Sequence, residues 1–123
     1  MAKILFIEDE PALQKTLGDF LKAEGHEVVP AYDGEAGLAA VRRERPDLVL
    51  LDLVLPRLHG LDVLEAMRAD QETAAIPVIV LTNMESGEAV ERAVELGAKA
   101  YLVKTNYSLA DVSEKVKSVL GQP

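Results

Sequence analysis

Asp47-Leu-Val-Leu-Leu-Asp52-Leu-Val-Leu55-Pro56 is the stretch whose reading decides the fold. Eight of its ten residues are apolar or proline, too dense a run to leave one face in water, so it predicts a strand buried on both sides. Asp52 falls at the end of that strand. An ionised carboxylate among so many Leu and Val side chains is costly unless water or a cation reaches it, which a strand end permits. The simplest alternative is an Asp that only starts a turn.

The chain around this strand has 123 residues, enough for one domain with a single core, and the expected domain spans 1–123. It has no cysteine, so no disulfide framework exists, in keeping with a reducing compartment. Its hydrophobic residues, 49% of the total, lie in short blocks, none near the 18 or so consecutive apolar residues of a membrane span. The N-terminus turns acidic at Glu8-Asp9-Glu10, too early for a signal peptide. The expectation is a cytoplasmic protein. A net charge of -8 and a pI near 4.7 argue against binding to nucleic acid or anionic membrane, both of which need clustered Lys and Arg. The partner to expect is a protein or a cation.

Lys3 to Ile7 predicts a strand, Glu8-Asp9-Glu10 an acidic loop, and Pro11 the first turn of a helix. Leu13, Leu17, Phe20 and Leu21 recur at helical spacing until Gly25. A short strand follows at Glu27–Ala31, then a helix capped by Asp33-Gly34, carrying Ala36, Ala40 and Val41 and ended by Pro46. Beyond the central strand and a Pro56–Gly60 loop, Leu61, Leu64 and Met67 or Arg68 mark a third helix to about Asp70. Ile76–Leu81 predicts a fourth strand ending in Thr82, with Pro77 tolerable near its start. Glu88–Leu96, with Ala89, Val90, Ala93 and Val94 turned inward, predicts a fourth helix stopped by Gly97. Ala98–Val103 then forms a fifth strand closed by Lys104. Ser108 and Asp111 resemble a capping box for a last helix striped by Leu109, Val112, Val116 and Val119, to Leu120. Five strands alternating with five helices imply an α/β fold, a doubly wound parallel sheet covered on both faces.

In such sheets functional residues gather beyond the carboxyl ends of the strands. Those ends supply Glu8 and Asp9, Asp52, Thr82 and Lys104. Three carboxylates crowded at one sheet edge repel one another unless a cation sits among them. An all-oxygen set that leaves room for water and phosphate suits Mg2+ (or Mn2+) better than a Ca2+ cage, and no Asp-x-Asp-x-Asp-Gly loop occurs.

Five fragments carry a resemblance: Ile-Leu-Phe-Ile-Glu-Asp-Glu at 4–10, Ala-Tyr-Asp-Gly-Glu-Ala-Gly-Leu at 31–38, Pro-Asp-Leu-Val-Leu-Leu-Asp-Leu-Val-Leu-Pro-Arg-Leu-His-Gly at 46–60, Pro-Val-Ile-Val-Leu-Thr at 77–82 and Gly-Ala-Lys-Ala-Tyr-Leu-Val-Lys at 97–104. In this order they resemble the receiver domain of bacterial response regulators, the phosphoacceptor of two-component signalling. The resemblance implies a flavodoxin-like sheet of strand order 2-1-3-4-5. It implies that Asp52 accepts a phosphoryl group from a histidine kinase or histidine phosphotransfer protein, with Lys104 and Thr82 contacting phosphoryl oxygens. Glu8, Asp9, Asp52 and the carbonyl of Val54 would hold Mg2+. Thr82 and Tyr101 would form a switch that alters the surface of the fourth helix, fifth strand and fifth helix for a downstream protein, or for a homodimer formed on phosphorylation. The domain would catalyse its own phosphorylation and dephosphorylation without being an enzyme of turnover. No output domain is visible, so a stand-alone receiver and a piece of a longer regulator are both expected forms.

Three rival functions make different demands on these residues. An aspartyl phosphohydrolase needs an acid/base two residues after its nucleophile, where Val54 stands. A flavin module needs a loop of phosphate-binding donors after the first strand, where Glu8-Asp9-Glu10 would repel phosphate. A receiver acting as a constitutive binding module without phosphorylation lacks none of the expected residues and stays open. Departures from the family pattern are Thr105, where a proline in a cis peptide usually aims the lysine, Asn83 in place of a small residue, and Glu8 in place of Asp. The Lys104-Thr105 peptide is expected to be trans, leaving Lys104 less tightly aimed. His26 and His59 have no companion ligands and are expected at the surface, and Met67 in the core.

Overall fold

The structure, a computed structural model, describes residues 2–121. Strands β1 (Lys3–Ile7), β2 (Glu27–Ala31), β3 (Leu48–Leu51), β4 (Val78–Thr82) and β5 (Ala100–Val103) alternate with helices α1 (Pro11–Ala23), α2 (Gly34–Glu44), α3 (Gly60–Ala69), α4 (Gly87–Glu95) and α5 (Leu109–Leu120). All strand pairs are parallel and the order is β2-β1-β3-β4-β5, as expected. Strand order reverses between β1 and β3. That is where a doubly wound sheet opens a crevice beyond its carboxyl ends.

The strands are apolar throughout because alternate residues serve two cores. Leu5, Ile7, Val49, Leu51, Val78 and Val80 pack with α2, α3 and α4 through Val41, Leu64, Met67 and Ala93. Ile4, Phe6, Leu48, Leu50, Ile79 and Leu81 pack on the other face with Leu17 and Leu21 of α1 and Val112 and Val116 of α5. All four residues of β3 are fully buried, each worth roughly 1.5–3 kcal/mol of transfer free energy. The helix boundaries follow their local chemistry. Pro11 begins α1, the Asp33 carboxylate accepts from Ala36 N–H at the start of α2, and Ser108 with Asp111 completes the capping box of α5.

Several boundaries differ from the sequence reading. The buried apolar run Asp47–Leu55 is only partly strand: β3 stops at Leu51 and Leu53 is buried in the loop beyond. β4 starts at Val78 because Pro77 has no N–H to give the ladder, although its carbonyl accepts from Val49, and Ile76 is tied back to Thr73. β5 starts at Ala100 because Gly97 and Ala98 spend their N–H groups capping α4. Val94, expected inside, is 64% exposed, and Val90 only half-buried, since α4 turns Ala89 and Ala93 to the sheet. His26 is buried, not at the surface, and burial holds its imidazole pKa below the ordinary 6.5.

Gly18 lies mid-helix in α1 with an ordinary helical backbone, and a Cβ there would meet nothing nearer than Val28 Cγ1 at 4.0 Å. Glycine at such a position costs helix stability without a steric reason. Gly18→Ala is therefore expected to raise the unfolding free energy by about 0.5–1 kcal/mol in urea titrations. A lowered midpoint would contradict this packing.

Candidate functional site

The site forms where β1 and β3 end side by side. Asp52, the first residue past β3, donates its N–H to Ile7 O at 3.0 Å, which seats it one step beyond the sheet and opposite Glu8. Its Oδ1 accepts from Val54 N–H at 3.2 Å and its Oδ2 from Lys104 Nζ at 2.9 Å. Asp52 keeps 5% of its surface, and Lys104, the less enclosed of the two, reaches it from the end of β5. Carboxylate oxygens of Glu8, Asp9 and Asp52 lie within 4.8 Å of one another, with Asp9 exposed and the other two buried. Of the acids, alcohol and amine expected to converge on Asp52, the structure brings Glu8, Asp9 and Lys104 together with it.

Glu8 is fully buried. Its Oε2 accepts from Glu10 N–H at 3.1 Å. Its Oε1 pairs with the Lys104 ammonium at 2.6 Å. Burial pushes the Glu8 carboxyl above its ordinary 4.5; Lys104 pulls it back and Asp52 pushes it up again. Burial also works against the Lys104 ammonium, but the two carboxylates outweigh it and hold Lys104 above the usual lysine value. Without a following proline, the sequence predicts a loosely aimed Lys104. The described residues contain no cis peptide, yet a single 3-10 turn, Lys104–Asn106, starts at the lysine and brings it to both acids.

Thr82 ends β4, is fully buried, and accepts Met84 N–H on its Oγ1 at 3.3 Å. Tyr101 is half-buried in β5 and donates its hydroxyl to Met84 O at 2.6 Å. One residue's main chain therefore joins Thr82 to Tyr101. Burial, then the Asp52 and Glu85 charges, raise the Tyr101 pKa. Val54 is exposed, on the loop just past Asp52.

That loop is held by features the sequence reading did not single out. Gly60 N–H donates to Leu53 O at 2.9 Å, and a Cβ at Gly60 would sit 2.3 Å from Asp52 O. Gly34 N–H donates to Pro56 O at 3.1 Å, where a Cβ would lie 1.9 Å from Leu58 O. Between them Leu58 N–H reaches Pro56 O at 2.8 Å across Arg57, whose φ of 71° makes a γ-turn of the strained kind. His59, expected as a bystander, caps α3 by accepting Leu61 N–H on Nδ1 at 3.1 Å. Gln14 is buried under the acidic loop, and its carboxamide donates to Glu8 O at 3.0 Å. A polar residue in register with Leu17 and Leu21 on an otherwise apolar helix face was the available signal.

This fold and this strand-end chemistry define a phosphoacceptor of the receiver class. The response regulator receiver domain family matches residues 4–117, and the chain belongs to it, a phosphoacceptor domain of two-component signalling. Protein PilH of Pseudomonas aeruginosa is 38% identical over 104 residues, covering 85% of this chain and 86% of PilH. Other curated relatives are matched over about half their length or less. A CheY-like receiver from Methanospirillum hungatei superposes with a TM-score of 0.92 at 30% identity, covering 98% of this chain and 94% of that one. The Mn(2+)-bound response regulator Rcp1 superposes at 0.82 with 31% identity, over 97% and 91%. Among the described residues no helix is long and apolar enough to cross a membrane.

The raised Glu8 pKa sets a sign for stability. A carboxyl raised in the fold favours the protonated form, so its ionisation costs stability above its folded pKa, and that cost fades as pH falls toward the ordinary 4.5. In EDTA, Glu8→Gln is expected to raise the melting temperature at pH 7, with the gain vanishing near pH 4. A loss at pH 7 would mean the Lys104 pair outweighs burial.

Proposed function

We propose that Asp52 is the phosphorylated residue, taking its phosphoryl group from a phosphohistidine of a histidine kinase or phosphotransfer protein. The observation that carries this is the Lys104 ammonium 2.9 Å from Asp52 Oδ2, beside a cluster of three carboxylates. An Asp52 carboxylate oxygen attacks phosphorus, a P–O bond forms, the N–P bond breaks, and the imidazole nitrogen keeps the electron pair. Lys104 then pairs with a phosphoryl oxygen in place of Asp52. The Thr82 hydroxyl, whose oxygen accepts Met84 N–H, donates its proton to another.

The donor set fits a divalent cation: all oxygen and rich in charge, with carboxylate oxygens of Glu8, Asp9 and Asp52 within 4.8 Å of one another. Glu8, Asp9, Asp52 and the Val54 carbonyl are the residues that would hold Mg2+ or Mn2+. Bound there, the ion would offset charge on the transferring phosphoryl oxygens. The output is a switch in which Thr82, drawn toward the phosphoryl group, gives up Met84 N–H and alters the Met84 carbonyl that anchors Tyr101. The face of α4, β5 and α5 then changes for a downstream protein.

Incubation with Mg2+ and phosphoramidate, read by intact mass, should give a single phosphoryl adduct that EDTA and Asp52→Asn abolish. An adduct that survives Asp52→Asn would move the acceptor elsewhere. Asn83 is exposed at the start of the β4–α4 loop, and Asn83→Ala is expected to change the acyl-phosphate lifetime by altering access of water. An unchanged half-life would remove Asn83 from the site.

A further inference from the structure

The turn that carries Glu8 and Asp9 begins where β1 and β2 part. Glu8 N–H still reaches Ala31 O at 2.9 Å, but β2 ends at Ala31, and among the described residues no main-chain N–H reaches the Glu8 carbonyl. A buried carbonyl without a donor is costly. Gln14 supplies the donor. Its Nε2 lies 3.0 Å from Glu8 O, 2.9 Å from Phe6 O and 3.0 Å from Ala31 O. All three neighbours are acceptors, which fixes the end of the amide that faces them as the NH2 group.

Gln14 sits 6% exposed on the face α1 turns to the sheet, one turn before Leu17, at a position where the helix pattern asks for an apolar residue. Glu8 is thereby gripped twice. Gln14 holds its carbonyl from below, and its own Oε2 accepts from Glu10 N–H above. With the main chain held on both sides of the turn, a carboxylate oxygen of each of Glu8 and Asp9 lies within 4.8 Å of one on Asp52.

We propose that Gln14 is the positioning residue of the acidic pocket, setting the turn that presents Glu8 and Asp9 to a divalent cation it does not itself touch. The proposal rests on the reading of Glu8, Asp9 and Asp52 as the cation site. Supporting groups of this kind typically govern affinity by 10- to 100-fold. Gln14 does so through the main chain of Glu8.

The test is isothermal titration of cation-free protein with Mn2+, well below the melting temperature, for wild type, Gln14→Met and Leu17→Ala. Gln14→Met keeps the side chain's length and removes its donors, and should raise the dissociation constant by about tenfold. In the cation-free protein it should also shift the amide resonances of residues 8–10. Leu17→Ala, one turn along the same face, should lower the melting temperature yet leave the dissociation constant unchanged. Gln14→Asn, an amide one methylene too short to reach the Glu8 carbonyl, carries the same expectation if Gln14→Met does not fold. Wild-type binding matched by the Gln14 variants overturns this proposal alone. Wild type that binds no Mn2+ overturns the cation site, and this proposal with it.

Discussion

The Lys104 ammonium lies between two buried carboxylates, 2.6 Å from Glu8 and 2.9 Å from Asp52. Asp52 and Glu8 follow adjacent strands in a core of Leu, Ile and Val, where neither charge has much water and each raises the cost of the other. The lysine makes that arrangement tolerable, and it must come from β5, two strands away from β3. A parallel sheet in the order found here is what lets three distant segments meet. Removing the lysine would leave both acids uncompensated, so the site and the fold are bound to one another.

The geometry of the pocket is set by the main chain around it. Asp52 is seated by Ile7 and by a loop that Gly60 and Gly34 allow to close against itself. Glu8 is seated by Ala31 and Gln14. Thr82 and Tyr101 share Met84, so a change at the buried threonine has a direct route to a half-buried aromatic on β5. Two groups biasing one loop is the minimum that a switch requires.

The strand-end residues were legible because an apolar run in a parallel sheet ends where function begins, and Glu8, Asp9, Asp52, Thr82 and Lys104 each close such a run. What pattern could not convey was long-range accommodation. Gln14 lies in an apolar register but serves three carbonyls from β1, β2 and the acidic loop. Arg68, which helical spacing offers beside Met67 on α3, donates to the Ala74, Ile76 and Leu96 carbonyls and ties two loops together. His26 follows Gly25 in a polar stretch and is buried by packing that the sequence around it does not announce. Val94 errs the other way, apolar in sequence and exposed because α4 contacts the sheet through its alanines. Lys104 finds its two acids through a 3-10 turn that Thr105 gives no hint of.

Paramagnetic broadening by Mn2+ of an isotope-labelled sample tests the shared pocket most directly, since line loss falls off steeply with distance from the ion. The account predicts that substoichiometric Mn2+ first removes the amide signals of residues 8–10 and 52–54, followed by those of residues 82–84 and 104. Broadening confined to the exposed acids of α4, Glu88, Glu91 and Glu95, with residues 8–10 and 52–54 untouched, would contradict it.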